Sequence, residues 1–182
     1  VTFHTESEPI TLNVRDFGAF GDGVHDDTSA IQAAILCCPK NARVLIPKGT
    51  YPVTALFLKS DMILELQENA VLAGIYDRAR TPILPGQIEY DNEDGYYNLG
   101  SWEGNPIDSF ASMITGIHVK NVTICGKGVL DGRADFENWW SRPKDKIRAW
   151  RPRMIFLNHC ENITVVGVTV QNSPAWNLHP YF

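Results

Sequence analysis

The 182-residue sequence is most informative at first in what it lacks. No run approaches the roughly eighteen consecutive apolar residues that a membrane-crossing helix requires. Basic residues are outnumbered, with 16 Lys and Arg against 21 Asp and Glu, for a net charge of −5. That balance argues against a duplex nucleic-acid partner. Cysteines are few: Cys37, Cys38, Cys125 and Cys160. None stands in a C-x-x-C spacing, so neither a zinc site nor a disulfide framework is expected, and no motif calls for a cofactor. The first nine residues lack the apolar stretch of a secretory signal. Together with the unpaired cysteines, this favours a cytoplasmic over a secreted location as an expectation.

What is present is ordinary for a globular chain: 44% hydrophobic, 20% charged and 10% aromatic residues. The distribution of charge says more than its sum. Between Arg142 and Arg153 stand six basic residues, Arg142, Lys144, Lys146, Arg148, Arg151 and Arg153, against one acid, Asp145. Such a window suits either an anionic ligand or a solvated loop.

Along the chain, a strand pattern at Thr11–Val14 leads into a loop with Gly18, Gly21 and Gly23. Asp26, Asp27, Thr28 and Ser29 offer helix caps. Ala30, Ile31, Ala34, Ile35 and Cys38 then recur at helical spacing and stop before Pro39. After that helix come short β-rich runs separated by Gly, Asn, Asp and Lys, with a further short helix suggested near Phe136–Trp140. A weak repeat is visible at an offset of 41 residues. His118-Val119-Lys120-Asn121-Val122-Thr123-Ile124-Cys125-Gly126 matches His159-Cys160-Glu161-Asn162-Ile163-Thr164-Val165-Val166-Gly167, and Lys59–Leu64 is a poorer third copy. A β-sandwich also gives many short strands, but the repeated N-[VI]-T-[IV]-x-G favours a β-solenoid of stacked coils. The helix is then its N-terminal cap. Residues 76–109 break the rhythm with prolines, aromatics and the acids Glu89, Asp91, Glu93 and Asp94, and read as an insertion that shapes a binding face.

The segments Asn13–Gly23, Asp26-Asp27-Thr28 and Val44–Tyr51 resemble the opening of pectin-degrading right-handed parallel β-helices. Gly126–Gly132, Arg151-Pro152-Arg153 and Asn172–Pro180 are similar to glycoside hydrolase family 28, and closest to its bacterial exo-polygalacturonases. The resemblance implies an all-β, right-handed, pectate-lyase-like parallel β-helix with an N-terminal capping helix, incomplete at its C-terminus. Residues 1–10 are read as a tail or the last strand of a preceding, fibronectin-III-like domain. Residues 11–182 are read as the capping region and first coils. The activity implied is inverting, exo-acting hydrolysis of α-1,4-galacturonosyl links. That chemistry needs one protonated carboxyl and one carboxylate with room for water between them.

The resemblance implies a site of three aspartates, in an Asn-Thr-Asp motif and an Asp-Asp pair, completed by Gly-His-Gly and a basic Arg-x-Lys motif, and none of these is expected to serve within this chain. The one Asp pair, Asp26-Asp27, sits where it would cap a helix. The catalytic set is therefore expected after Phe182, and the chain alone is expected to be inactive. For substrate, an acidic polysaccharide or oligogalacturonate, the candidates are Arg153 first, as a carboxylate contact, then Arg151, with Trp176 and His179 bordering the cleft. Trp176 has an equally open reading as a buried core residue. Tyr96, Tyr97 and Trp102 would wall off one end of the cleft. No catalytic residue, metal ligand, nucleic acid or membrane partner is assigned, and an open last coil predicts self-association into a homo-oligomer. Two other readings share the fold: a calcium-dependent pectate lyase and a non-catalytic, tailspike-like carbohydrate-binding module.

Overall fold

The computed structural model describes residues 9–89, 96–97 and 99–182. The expectation for residues 1–8 falls outside them, as do the acids Asp91, Glu93 and Asp94.

Three parallel sheets wrap a common core as a right-handed β-helix. The first holds Thr11–Asn13, Ala42–Ile46, Met62–Leu66, Lys120–Gly126 and Glu161–Val166 in that order. The second holds Gly49–Val53, Ala70–Gly74, Val129–Asp131 and Thr169–Gln171. The third holds Leu56–Phe57, Ile114–Ile117, Ile155–Asn158 and Leu178–Tyr181. Each coil visits the sheets in turn, so every strand pairs with its counterpart one coil away.

The register explains the repeat. Ala42 lies beside Met62, twenty residues on; Met62 beside Val122, sixty on; Val122 beside Ile163, forty-one on. A bare coil is thus twenty residues, and the two longer offsets contain insertions. Residues 75–113 and 132–154 both leave the second sheet and return at the third, so they share one corner of the solenoid.

Alternation along each strand sends one row inward. Val44, Leu64 and Ile124 are fully buried in line across the first sheet, and Leu72, Leu130, Leu56 and Ile114 close the core from the other two. The corner entering the first sheet turns through left-handed residues: Asn41, Asp61, Asn121 and Asn162 have φ of 60°, 59°, 57° and 54°. Asn and Asp tolerate that conformation best among residues with a Cβ. Their side chains also form a ladder: Asn162 Nδ2 donates to Asn121 Oδ1 at 2.8 Å, and Asn121 Nδ2 to Asp61 Oδ1 at 2.7 Å. The His118 and His159 rings stack beside it, 5.0 Å apart. Where the coil leaves the first sheet, Gly126 has φ +113°, and a Cβ there would lie 1.9 Å from the Leu66 carbonyl oxygen.

The cap is the helix Thr28–Cys37, which buries Ile31, Ala34 and Ile35 on the first coil. Its Asp pair divides the labour differently from the expected double cap. Asp26 Oδ1 accepts from the Thr28 N–H at 2.9 Å. Asp27, 1% exposed, makes no cap hydrogen bond and instead accepts from the N–H groups of Phe20, at 2.6 Å, and Gly21, at 3.0 Å. It therefore fastens the glycine loop over Tyr51, where a Cβ on Gly21 would meet the ring at 2.6 Å. Residues 136–140 form hydrogen-bonded turns rather than the short helix suggested by their spacing.

Candidate functional site

The insertion corner gathers the aromatic and basic residues. On the outer face of the third sheet, Thr115, Phe156 and His179 stand in register, one per coil. The insertions cover the earlier coils, where Phe156 packs with Leu84 and Ala111, and leave His179 partly open on the last.

The two insertions interlock. Phe110 N donates to the Trp150 carbonyl at 2.8 Å, Trp150 N to the Asp108 carbonyl at 2.9 Å, and Lys146 Nζ pairs with Asp108 at 3.3 Å. Arg78 runs between them, its guanidinium 4.5 Å from the Trp139 ring centre and its Nη1 donating to the Ile147 carbonyl. This joint places Trp102 against Trp150, at 5.0 Å, and against Trp176 of the last coil, at 5.3 Å, with all three rings nearly parallel.

Under this stack lie two arginines. Arg153 is 2% exposed, so its guanidinium sits beneath the tryptophans rather than on the surface, 5.0 Å from Trp102 and 5.2 Å from Trp176. Its Nη2 donates to the Ser101 carbonyl. Arg151, 6% exposed, lies 4.1 Å over Trp140 and donates to the carbonyls of Pro174 and Pro143. Among the described residues neither arginine has a carboxylate partner. Burial, and then the charge of Arg151, pull the Arg153 pKa down to about 10; burial, and then Arg78, lower that of Arg151.

The same corner concentrates buried polar atoms that have no hydrogen-bond partner among the described residues. They are Ser101 Oγ, Trp150 Nε1, Arg151 Nε, Arg153 Nε, Ser173 Oγ and His179 Nδ1. At least three of these are obligate donors. His179 meets Trp176 edge-on at 4.6 Å and Phe156 at 5.3 Å. Burial, and secondarily the Arg153 charge, push its pKa down to about 4, so the imidazole is neutral at ordinary pH.

All four residues singled out from sequence, Arg151, Arg153, Trp176 and His179, thus meet in one place. Trp176 is 37% exposed, at the rim. Trp102 joins them; the side chains of Tyr96 and Tyr97 lie outside the described residues. The basic window splits, with Arg151 and Arg153 buried while Arg142, Lys144, Lys146 and Arg148 stay exposed. Arg142-Pro143-Lys144 has the Arg-x-Lys spelling of the resembled family's basic motif, but it lies in the loop, where Arg142 Nε pairs with Asp145 at 2.6 Å. Trp150 and Arg78 escaped sequence reasoning, since only the interlocked insertions bring them here. Among the described residues, no three His, Cys, Asp or Glu stand close enough to hold a metal ion. No helix among them is long and apolar enough to cross a membrane.

Residues 11–173 match the family model described as rhamnogalacturonase A/epimerase, pectate lyase-like. The chain belongs to that family. The chain is 37% identical to the exo-poly-α-D-galacturonosidase of Dickeya chrysanthemi, over 96% of this chain and 28% of the relative. It superposes on the family 28 exopolygalacturonase of Yersinia enterocolitica with a TM-score of 0.73 and 28% identity, covering 100% of this chain and 41% of that one. For the exopolygalacturonase of Thermotoga maritima the TM-score is 0.76 at 26% identity, over 96% and 45%. The chain spans less than half the length of each. These relatives are named as polygalacturonases and share the parallel β-helix, as the sequence motifs implied.

Proposed function

We propose that this chain forms the cap and the substrate-holding wall of a hydrolase that cleaves α-1,4-galacturonosyl links with inversion, working from chain ends. The observation that carries the reading is the cluster of buried donors around two arginines that, among the described residues, have neither a hydrogen-bond acceptor for Nε nor a carboxylate partner. Burying a guanidinium without a counter-charge is costly, and an arriving carboxylate relieves that cost. A galacturonate unit brings one such group per sugar. Trp176 offers a ring face at the rim for a sugar ring. Neutral His179 supplies a hydrogen-bonding nitrogen to a hydroxyl. Arg153 acts from beneath, by its charge. Trp102 and Trp150 stand across the cap-ward end, which favours entry of a chain terminus over the middle of a polymer.

The acid and base belong to coils beyond this chain, on the third sheet next to Trp176 and His179. The chain alone accordingly binds without turnover. Titration with digalacturonate, followed by tryptophan fluorescence, is the test. The expected result is a saturable change that a neutral galactose disaccharide does not produce, that Trp176→Ala removes, and that releases no galacturonate. Equal responses to the acidic and neutral sugars, or no response to either, would overturn the reading.

A further inference from the structure

A second cavity lies on the other side of the Arg78–Trp139 ridge, toward the cap. It measures about 450 Å³ and is built from three distant parts of the chain: the cap loop at Gly23, Val24 and Asp26, the exit of the second sheet from Gly74 to Arg80, and the loop carrying Arg133 and Asn138. Tyr76, 46% exposed, lines it and meets Trp139 edge-on at 5.1 Å. That contact marks the boundary with the tryptophan nest.

Two arginines, Arg80 and Arg133, line the cavity. Asp26 is the one carboxylate lining the cavity, and it is already engaged by Arg80 and Thr28. Those contacts hold Asp26 in its charged form. They also fix Arg80 in place. Arg133 lines the same space and has no ion-pair partner among the described residues. Its backbone is held on both sides: its N–H donates to Asp131 Oδ1 at 2.9 Å, and its carbonyl accepts from Asn138 Nδ2 at 2.8 Å. Between them Arg133 takes φ +49°, a left-handed conformation that costs free energy in a residue with a long side chain and persists only when neighbours enforce it. The loop thus presents an exposed guanidinium on a held backbone, with the Asp131 carboxylate as a charged neighbour, beside an exposed phenol ring and a second, anchored arginine. A planar cation donor for a carboxylate and an aromatic face for a ring are what a uronic acid sugar requires.

We propose that this cap-end cavity is a second binding site for a uronate unit of an acidic polysaccharide, separate from the nest under Trp102 and Trp176. Its role is to hold the polymer to the protein while another chain end occupies the nest. The proposal takes its sugar class from the preceding reading, but its residues and its test are independent of it.

The experiment is calorimetric titration of the full chain with trigalacturonate in a Trp176→Ala background, which silences the nest. Binding is expected to persist there, to weaken about tenfold with Arg133→Ala, and to vanish with Arg133→Glu. Arg133 is exposed, so both variants keep the fold, which circular dichroism checks. Tyr76→Phe retains binding, while Tyr76→Ala weakens it several-fold. No binding in the Trp176→Ala background, or binding indifferent to Arg133→Glu, would overturn the proposal. So would binding of inorganic sulfate as tight as that of trigalacturonate, which would make the cavity a plain anion site. Loss of the fluorescence response in the wild type with cap-end binding intact would count against the nest alone.

Discussion

Two corners of the solenoid handle polar groups in opposite ways. At the corner entering the first sheet, each coil repeats the same left-handed Asn or Asp, and the amides bond from coil to coil from Asn162 to Asn121 to Asp61. At the insertion corner nothing repeats, and among the described residues the buried N–H groups of Arg151, Arg153 and Trp150, together with His179 Nδ1, are left without partners. The first arrangement is what stacking identical units yields when stability alone is served. The second stores unfavourable desolvation, which on the proposed reading a bound sugar acid would relieve.

The sharpest way to break the contrast is on the regular side. Leu64→Ala empties a fully buried position in the middle of the first sheet and should cost about 3 kcal/mol, read from the urea midpoint. A cost below about 1 kcal/mol would mean the core there is loosely packed. Next in size is the ladder. Asn121→Ala loses the relay and places an Ala Cβ at φ +57°, for an expected loss of about 2 kcal/mol. Asn121→Gly loses the relay but relieves the backbone, so about half of that loss should return. If the two variants are equal, the amide chain rather than the backbone sets the corner.

On the irregular side the cost of substitution nearly vanishes. Arg153→Met removes a buried, unpaired charge while keeping most of the packing volume. Its stability should stay within about 1 kcal/mol of the parent, on either side, while digalacturonate binding is lost. A large destabilisation would recast Arg153 as a strut for the Ser101 carbonyl.

The last expectation is a pH dependence. The folded His179 pKa, about 4, lies below the ordinary value of 6.5, so the unfolded chain binds more protons between those values. The contribution of His179 to stability is therefore complete above about pH 6.5 and declines as pH falls toward 4. An NMR titration of its ring should give a midpoint near 4 in the parent and a higher one in Arg153→Met. A midpoint unmoved by that substitution would show that burial alone sets it.

The solenoid was legible because its physics is local. Short alternating strands, the Asn corners and the helix over Ile31, Ala34 and Ile35 are each decided within a few residues, and the 118–126 and 159–167 copies fall in strand register as their alignment required. The site was legible in part. Arg151, Arg153, Trp176 and His179 could be picked out by chemistry and motif, yet nothing near them in sequence says that Arg153 is buried. Asp27 misled for the same reason: a cap sequence specifies nearby N–H groups, and a loop six residues upstream offered better ones.

The sequence by itself therefore determined the coil, the cap and the family, because these rest on periodicity and nearest-neighbour pairing. Only the tertiary structure decided that residues 75–113 and 132–154 leave from one corner and lock together through Arg78, Asp108 and Trp150. That meeting spans some seventy residues of chain between Arg78 and Ile147 and has no local signature. It is also what brings three tryptophans over two arginines, since insertions of different length can meet only when the coils beneath them have already stacked.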